Sequence, residues 1–182
     1  AMPGVSVFEQ RDQFGRRRPA ELRRWPRLEV GRGQAVEAAP ILAAAQARAR
    51  DKPLPLHGLL TPRETWALHQ AGEIELIDTR TLAERDLIGY VPGSVHIEWY
   101  DYPAKARNAH FLDQLRARVE LDRPVAFLCR SGVRSQHAAV LATAHGYRAA
   151  YNVLEGFEGD RNPQGQRRVN GWQMAGLPWR QD

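Results

Sequence analysis

Apolar and polar positions follow a regular pattern only from about residue 60 onward. Residues 61–64 read Thr-Pro-Arg-Glu, a capping box with proline at the first helical position, which predicts a helix that runs to about Gln70 and ends at Gly72. Short apolar runs predict strands at residues 74–77, 94–97, 124–128 and 149–154. Helical spacing predicts helices near residues 82–85, 111–119 and 135–145.

The alternation of short strands with helices predicts an α/β fold. The run from Pro124 to Leu128 is continuously apolar, which is typical of a strand buried on both of its faces. We therefore expect an open parallel sheet flanked by helices on both faces. In such sheets, ligand sites lie at the carboxyl ends of the strands.

The first third of the chain has a different character. Arginines are frequent up to Arg32, and no sustained period appears before a helix-like, alanine-rich stretch at residues 35–51 that Pro40 interrupts. Residues 52–55, Lys-Pro-Leu-Pro, are typical of an extended linker. We interpret residues 1–57 as an Arg-rich N-terminal extension and residues 58–182 as the domain, and we expect a chain starting near Pro55 to fold and keep its turnover.

Composition excludes several classes of protein. The 182 residues are 43% hydrophobic and 26% charged, which argues against wholesale disorder, and no apolar run reaches the roughly 20 residues of a membrane-spanning helix. The single cysteine excludes an internal disulfide framework and any multi-cysteine metal site, and the histidines lack paired metal spacing. A lone cysteine favours a reducing compartment, and no secretory signal is recognisable, so we expect a cytoplasmic protein.

The net charge of +5 belongs to the extension. Residues 1–58 carry 11 Lys and Arg against 6 Asp and Glu, and the remainder of the chain is balanced. Such arginines can bind nucleic acid or acidic lipid. We instead expect residues 1–57, where ordered, to pack on the domain itself, on a second copy of the chain or on a partner protein, with neither nucleic acid nor a membrane as partner.

The candidate chemistry centres on Cys129, which directly follows the apolar strand and opens the segment Cys129–Ser135. A strand–loop–helix junction leaves backbone amides unpaired, and a helix N-terminus adds partial positive charge. Arg130 and Arg134 add full charges, and Gly132 permits a tight turn with positive φ. Each feature favours thiolate over thiol. A small buried hydrophobe is the alternative role for a lone cysteine, but such a role requires neither the arginines nor the glycine.

Several segments, in order, resemble the single-domain rhodanese (sulfurtransferase) family from about Leu60 to Trp179. Residues 129–135, Cys-Arg-Ser-Gly-Val-Arg-Ser, resemble its active-site loop, and Asp78-Thr79-Arg80 resembles the Asp-x-Arg after an early strand. Residues 90–97 resemble its Pro-Gly-Ala segment, with Tyr90 where histidine is usual, and Phe157 replaces the second glycine of a Leu-x-Gly-Gly turn. Trp172 and residues 177–179 fit the closing helix and tail.

The resemblance implies a chemistry for these residues. Cys129 is then the catalytic residue, which takes a sulfane sulfur from thiosulfate or a low-molecular-weight persulfide and passes it to a thiol or cyanide. Asp78 and Arg80 are supporting residues, and no metal or organic cofactor is required. The residues implied to form the loop that binds the transferred sulfur are Arg130, Ser131, Gly132, Val133, Arg134 and Ser135.

Two other functions are compatible with this fold. One is a non-catalytic rhodanese-like interaction module, but such modules commonly lack the cysteine that this chain has at position 129. The other is a Cys-based phosphatase or arsenate reductase. Cell-cycle dual-specificity phosphatases share the rhodanese fold but use Cys-x5-Arg, whereas Cys129 and Arg134 form Cys-x4-Arg, a shorter loop that suits a sulfur atom better than a tetrahedral oxyanion. The sequence therefore favours the sulfurtransferase.

Overall fold

The computed structural model describes residues 36–182, so the arginine-rich part of the predicted extension lies outside the described residues. Five helices and five strands alternate along this part of the chain. In chain order they are α1 (Ala38–Arg50), β1 (Gly58–Leu60), α2 (Pro62–Gln70), β2 (Glu75–Asp78), α3 (Leu82–Ile88), β3 (Val95–His96), α4 (Phe111–Arg116), β4 (Val125–Leu128), α5 (Val133–Ala144) and β5 (Ala150–Val153).

The strands form one parallel sheet in the order β1-β5-β4-β2-β3. The central strand β4 is buried on both faces, as its apolar run predicted. Val125 and Phe127 pack with α4 and α5 on one face, and Ala126 and Leu128 pack with α2 on the other. The expected open parallel sheet with helices on both faces is confirmed.

Two helices begin with a reciprocal capping box. At α2, the Thr61 hydroxyl accepts from the Glu64 amide at 3.3 Å, and Glu64 accepts from the Thr61 amide at 2.9 Å, as the sequence predicted. At α3, Thr81 and Glu84 make the same pair of bonds at 3.2 and 3.0 Å. Each box satisfies two amides that the first turn of a helix leaves free. The second box fixes Glu84 at the carboxyl edge of the sheet.

Several details differ from the sequence-based expectation. Helix α4 ends at Arg116 rather than near residue 119, and α1 runs through Pro40 without a break. Strand β1 was not predicted, because three residues are too short to show a period. Helix α5 begins at Val133, two residues earlier than expected. The expected closing helix is wrong: between Gly171 and Gly176 the chain makes only a turn, with one helical hydrogen bond from the Ala175 amide to the Gly171 carbonyl. Both glycines adopt positive φ, at 99° and 69°, which ends helical propagation.

Helix α1 belongs to the predicted extension and packs on the sheet. Ala45 and Ala49 are buried, and Ala45 contacts the cluster that contains Leu60. The Arg48 guanidinium donates two hydrogen bonds to the Glu64 carboxylate, at 2.8 and 2.7 Å. The small side chains therefore allow close approach, and the ion pair ties α1 to the start of α2. The domain boundary at residues 57 and 58 stays a prediction.

Candidate active site

The Cys129 thiol lies at the carboxyl end of β4, where the chain leaves the sheet, and it is only 1% exposed. Its Sγ accepts hydrogen bonds from the Gly132 amide at 3.1 Å and from the Ser135 hydroxyl at 3.2 Å. Both donors stabilise negative charge on sulfur more than they stabilise a neutral thiol, because a hydrogen bond to an ion is the stronger one. The two donors are therefore placed to stabilise negative charge that develops at this sulfur.

Gly132 shapes the loop by adopting a left-handed conformation, with φ 96° and ψ −5°, immediately before α5. Its carbonyl accepts from the Asn152 side-chain amide at 3.1 Å and from the Gln136 amide at 3.3 Å. Asn152 is buried in β5, so it anchors the turn to the sheet. Sequence reasoning did not identify this residue, because a single asparagine in an apolar strand gives no signal of its partner.

In the part of the chain that the structure describes, the loop and the first turn of α5 supply backbone amides without a protein acceptor. Within residues 36–182, no protein acceptor meets the amides of Ser131, Val133, Arg134 and Ser135. The first amides of any helix lack an intrahelical acceptor and carry partial positive charge. An anion bound to Cys129 would therefore find unused donors in the segment that the sequence predicted as a sulfur-binding loop.

Arg134 is held by Glu84 across the edge of the sheet. Its guanidinium donates to the two carboxylate oxygens at 2.7 and 2.6 Å and stacks on the Tyr100 ring with its carbon 4.7 Å from the ring centroid. Burial acts to lower the pKa of Arg134, but the bonds to Glu84 outweigh it and raise the pKa. Arg134 therefore fastens the loop to α3. Sequence reasoning missed Glu84, although its capping-box spacing from Thr81 was visible.

Arg130 has a different environment, and its side chain is 40% exposed. Its Nε lies 3.9 Å from the nearest Glu84 oxygen, which is within ion-pair range but too far for a hydrogen bond. That oxygen already accepts a hydrogen bond from Arg134. Of the two loop arginines, Arg130 is thus the one whose charge is available to a ligand.

Asp78 and Arg80 form a fully buried pair at the end of β2. The Arg80 guanidinium donates to the carboxylate at 3.0 and 2.7 Å, and Arg85 adds a third bond at 3.0 Å. Burial acts to raise the pKa of Asp78, but the positive charges of Arg80 and Arg85 lower it below its ordinary value. Arg80 also stacks on the Phe157 ring with its guanidinium carbon 4.0 Å from the centroid. The pair contacts elements that support the loop, without contacting Sγ itself.

The comparisons with known proteins agree with this architecture. The family model of the rhodanese-like domain matches residues 61–162, more than half of the chain. The chain belongs to the rhodanese-like family. A protein of solved structure from Mycobacterium tuberculosis, Rv0390, is 41% identical, with a TM-score of 0.62 over 68% of this chain and 97% of its own.

Curated relatives of this rhodanese-like chain are more distant. An uncharacterised protein of Rickettsia prowazekii, RP600, is 32% identical over 57% of this chain and 80% of its own length. A thiosulfate sulfurtransferase of Pseudomonas savastanoi, GlpE, is 29% identical over 54% of this chain and 82% of its own length.

This rhodanese-like chain braces its loop with the segment that follows β5. The Phe157 amide donates to the Cys129 carbonyl at 2.8 Å, and a Cβ on Gly156 would lie 2.5 Å from the Arg130 carbonyl carbon. Gly156 also adopts a φ of 69°, so this turn requires glycine. Phe157, which replaces the glycine usual in the resemblance, is fully buried and packs under Arg80.

Residues 36–182 contain neither a membrane-spanning helix nor a cluster of metal-ligating side chains. This part of the chain holds no helix that is both long and apolar enough to cross a membrane. It also brings together no three His, Cys, Asp or Glu side chains that could ligate a metal ion.

Proposed function

We propose that this chain is a sulfurtransferase, which moves a sulfane sulfur from thiosulfate or a low-molecular-weight persulfide to a thiol or cyanide through a persulfide on Cys129. The observation that carries the proposal is the pair of donors on Sγ, the Gly132 amide and the Ser135 hydroxyl, inside a loop with further unused amides. The name of the Pseudomonas savastanoi relative, a thiosulfate sulfurtransferase, gives independent support.

The first half-reaction loads the cysteine. The Cys129 thiolate attacks the outer sulfur of thiosulfate, a bond forms between Sγ and that sulfur, and the sulfur–sulfur bond of the donor breaks. Sulfite leaves with the bonding electron pair, and the negative charge of the thiolate moves to the terminal sulfur of the persulfide. With a low-molecular-weight persulfide as donor, the leaving group is the corresponding thiolate. Helix-terminal amides stabilise the new anion by the electrostatic principle of an oxyanion hole.

The second half-reaction returns the enzyme to its starting state. A thiolate or cyanide attacks the terminal sulfur and takes it away as a new persulfide or as thiocyanate. The bonding pair returns to Sγ, so Cys129 leaves this step as a thiolate. The chain has no second cysteine that could attack the persulfide internally. The acceptor must therefore come from outside the chain.

Intact mass spectrometry tests the proposal directly. Incubation with thiosulfate should add one sulfur, about 32 Da, which dithiothreitol or cyanide then removes. Because Cys129 is the one cysteine of the chain, the adduct is assigned without peptide mapping. Cys129→Ser, checked for wild-type unfolding behaviour, is the matched control and should show neither adduct nor turnover.

Three outcomes would overturn the proposal. The first is equal turnover by Cys129→Ser, and the second is a folded wild-type protein that gains no sulfur from thiosulfate or from glutathione persulfide. The latter result would favour the interaction module. The third is Cys129-dependent hydrolysis of aryl phosphates faster than sulfur transfer, which would favour the phosphatase.

A further inference from the structure

The active-site loop and the segment after β5 that is bonded to it carry three arginines, and we propose that these bind a carboxylate of the sulfur donor. The cluster comprises Arg130 of the loop and Arg161 and Arg167 of the segment after β5. This inference rests on the proposed function and names its donor class: a low-molecular-weight persulfide that carries a carboxylate several bonds from the transferred sulfur.

The segment that carries Arg161 and Arg167 is attached to the loop itself. The amides of Glu158 and Gly159 donate to the Arg130 carbonyl at 3.0 and 3.2 Å. The Arg167 guanidinium in turn donates to the Gly159 carbonyl. Gly159 thus bonds both the backbone of Arg130 and the side chain of Arg167, which places the Arg167 guanidinium close to the backbone of the active-site loop.

The charges of Arg130 and Arg161 both act on Arg167. Burial lowers the pKa of Arg167, and the positive charges of Arg130 and Arg161 lower it further. Like charges held together by a fold are costly unless an anion offsets them. A half-buried arginine beside two others is therefore an arrangement suited to an anionic ligand.

Among residues 36–182, the one carboxylate within ion-pair distance of this cluster is that of Glu84, which lies 3.9 Å from Arg130 and is already bonded to Arg134. Within residues 36–182, no carboxylate oxygen lies within ion-pair distance of Arg161 or Arg167. Glu158 and Asp160 are close enough to offset part of the field at Arg167, but Asp160 already accepts from the Asn170 side chain at 2.9 Å. The positive charge therefore remains available.

The position of the three arginines favours a carboxylate-bearing persulfide over thiosulfate as the ligand that they bind. In thiosulfate, the sulfonate is bonded directly to the transferred sulfur, so it lies inside the loop with Cys129. A carboxylate on a peptide-like persulfide lies several bonds farther out, where the segment after β5 borders the loop. Guanidinium groups bind carboxylates through two parallel hydrogen bonds, which supports specificity as well as affinity.

A matched pair of donors tests this inference: N-acetylcysteine persulfide, which carries one carboxylate, and its methyl ester, which lacks the carboxylate charge. Arg167→Gln should lower kcat/KM for the acid about fivefold, as expected for a partly exposed ion pair. It should leave the ester unchanged and thiosulfate within about twofold, since neither presents a remote carboxylate. Arg168→Gln, an exposed arginine of the same segment, is the control and should behave as wild type with all donors.

The pattern across donors separates the possible results. An equal loss for acid and ester would assign Arg167 a purely structural role and overturn the inference. No loss for the acid would overturn it as well. If no donor loads Cys129 in the wild type, the proposed function fails instead. Added salt should weaken the acid preference of the wild type and leave the ester rate unchanged.

Discussion

Replacing Glu84 by glutamine tests how the active-site loop is held in place. Glutamine keeps the size of the side chain and can still complete the capping box, but it removes the charge opposite Arg134. The two side chains are only 19% and 11% exposed, and their bonds of 2.6 and 2.7 Å join α3 to the loop. Breaking a fully buried ion pair lowers the free energy of unfolding by about 3–5 kcal/mol. Because these two side chains are partly exposed, we expect a loss of about 2–3 kcal/mol.

Urea unfolding of wild type and Glu84→Gln measures this free energy, and the rate of persulfide formation measures the effect on the loop. We expect loading to slow about tenfold or more, because the Arg134 side chain no longer fixes the first turn of α5. Arg134→Gln and the double variant complete a cycle that isolates the pair from the rest of α3. A stability loss below about 0.5 kcal/mol, or strict additivity in the cycle, would refute the reasoning.

The same pair predicts a pH dependence with a defined sign. Burial acts to raise the pKa of Glu84, but hydrogen bonds from Arg134 and the Thr81 amide outweigh burial, and the folded-state pKa is lowered. The stabilisation is therefore fully present above the unfolded-state pKa of about 4.3 and is lost as pH falls through the lower folded-state value. The stability difference between wild type and Glu84→Gln should accordingly be constant near neutral pH and shrink below about pH 4.

Three further changes test other parts of the architecture. Asp78→Asn should cost about 3–5 kcal/mol in urea unfolding, since it leaves the fully buried Arg80 without a counter-charge; a loss under about 1 kcal/mol would contradict the importance of that pair. Gly156→Ala should lower the free energy of unfolding by about 3 kcal/mol and slow persulfide formation, because the added Cβ would meet the Arg130 backbone. Wild-type stability of this variant in urea would contradict the prediction and show that the turn relaxes easily. A chain beginning at Pro55 should keep turnover with thiosulfate but unfold at a lower temperature than the full chain, because it lacks α1; equal melting would show that α1 contributes nothing.

The elements that sequence predicts well are those whose signals are local. The apolar run of β4 and the capping box at Thr61 each identify an element without reference to its neighbours. Cys129 is locatable for the same reason, since its strand, its glycine and its arginines are adjacent in sequence. Strand β1 has only three residues, and its pairing with β5 depends on residues far along the chain.

Site residues that act across the fold are harder to find from sequence. Arg134 was visible as a charge near the loop, but its partner Glu84 lies 50 residues earlier and is recognisable only once β2 and β4 are known to be adjacent. Asn152 supports Gly132 from another strand altogether. Tertiary hydrogen bonds of this kind depend on which strand ends meet, and a single sequence does not encode that as a periodic pattern.

The brace behind the loop determines when the site is completed during synthesis. The amides that hold the carbonyls of Cys129 and Arg130 come from residues 157–159, and the Trp172 amide bonds Gly156 at 2.9 Å. A ribosome therefore releases Cys129 before it releases the residues that hold the carbonyls of the loop. Until residues 157–172 have emerged, the loop around the thiol lacks these hydrogen bonds, so it takes its final shape only after that segment has been made.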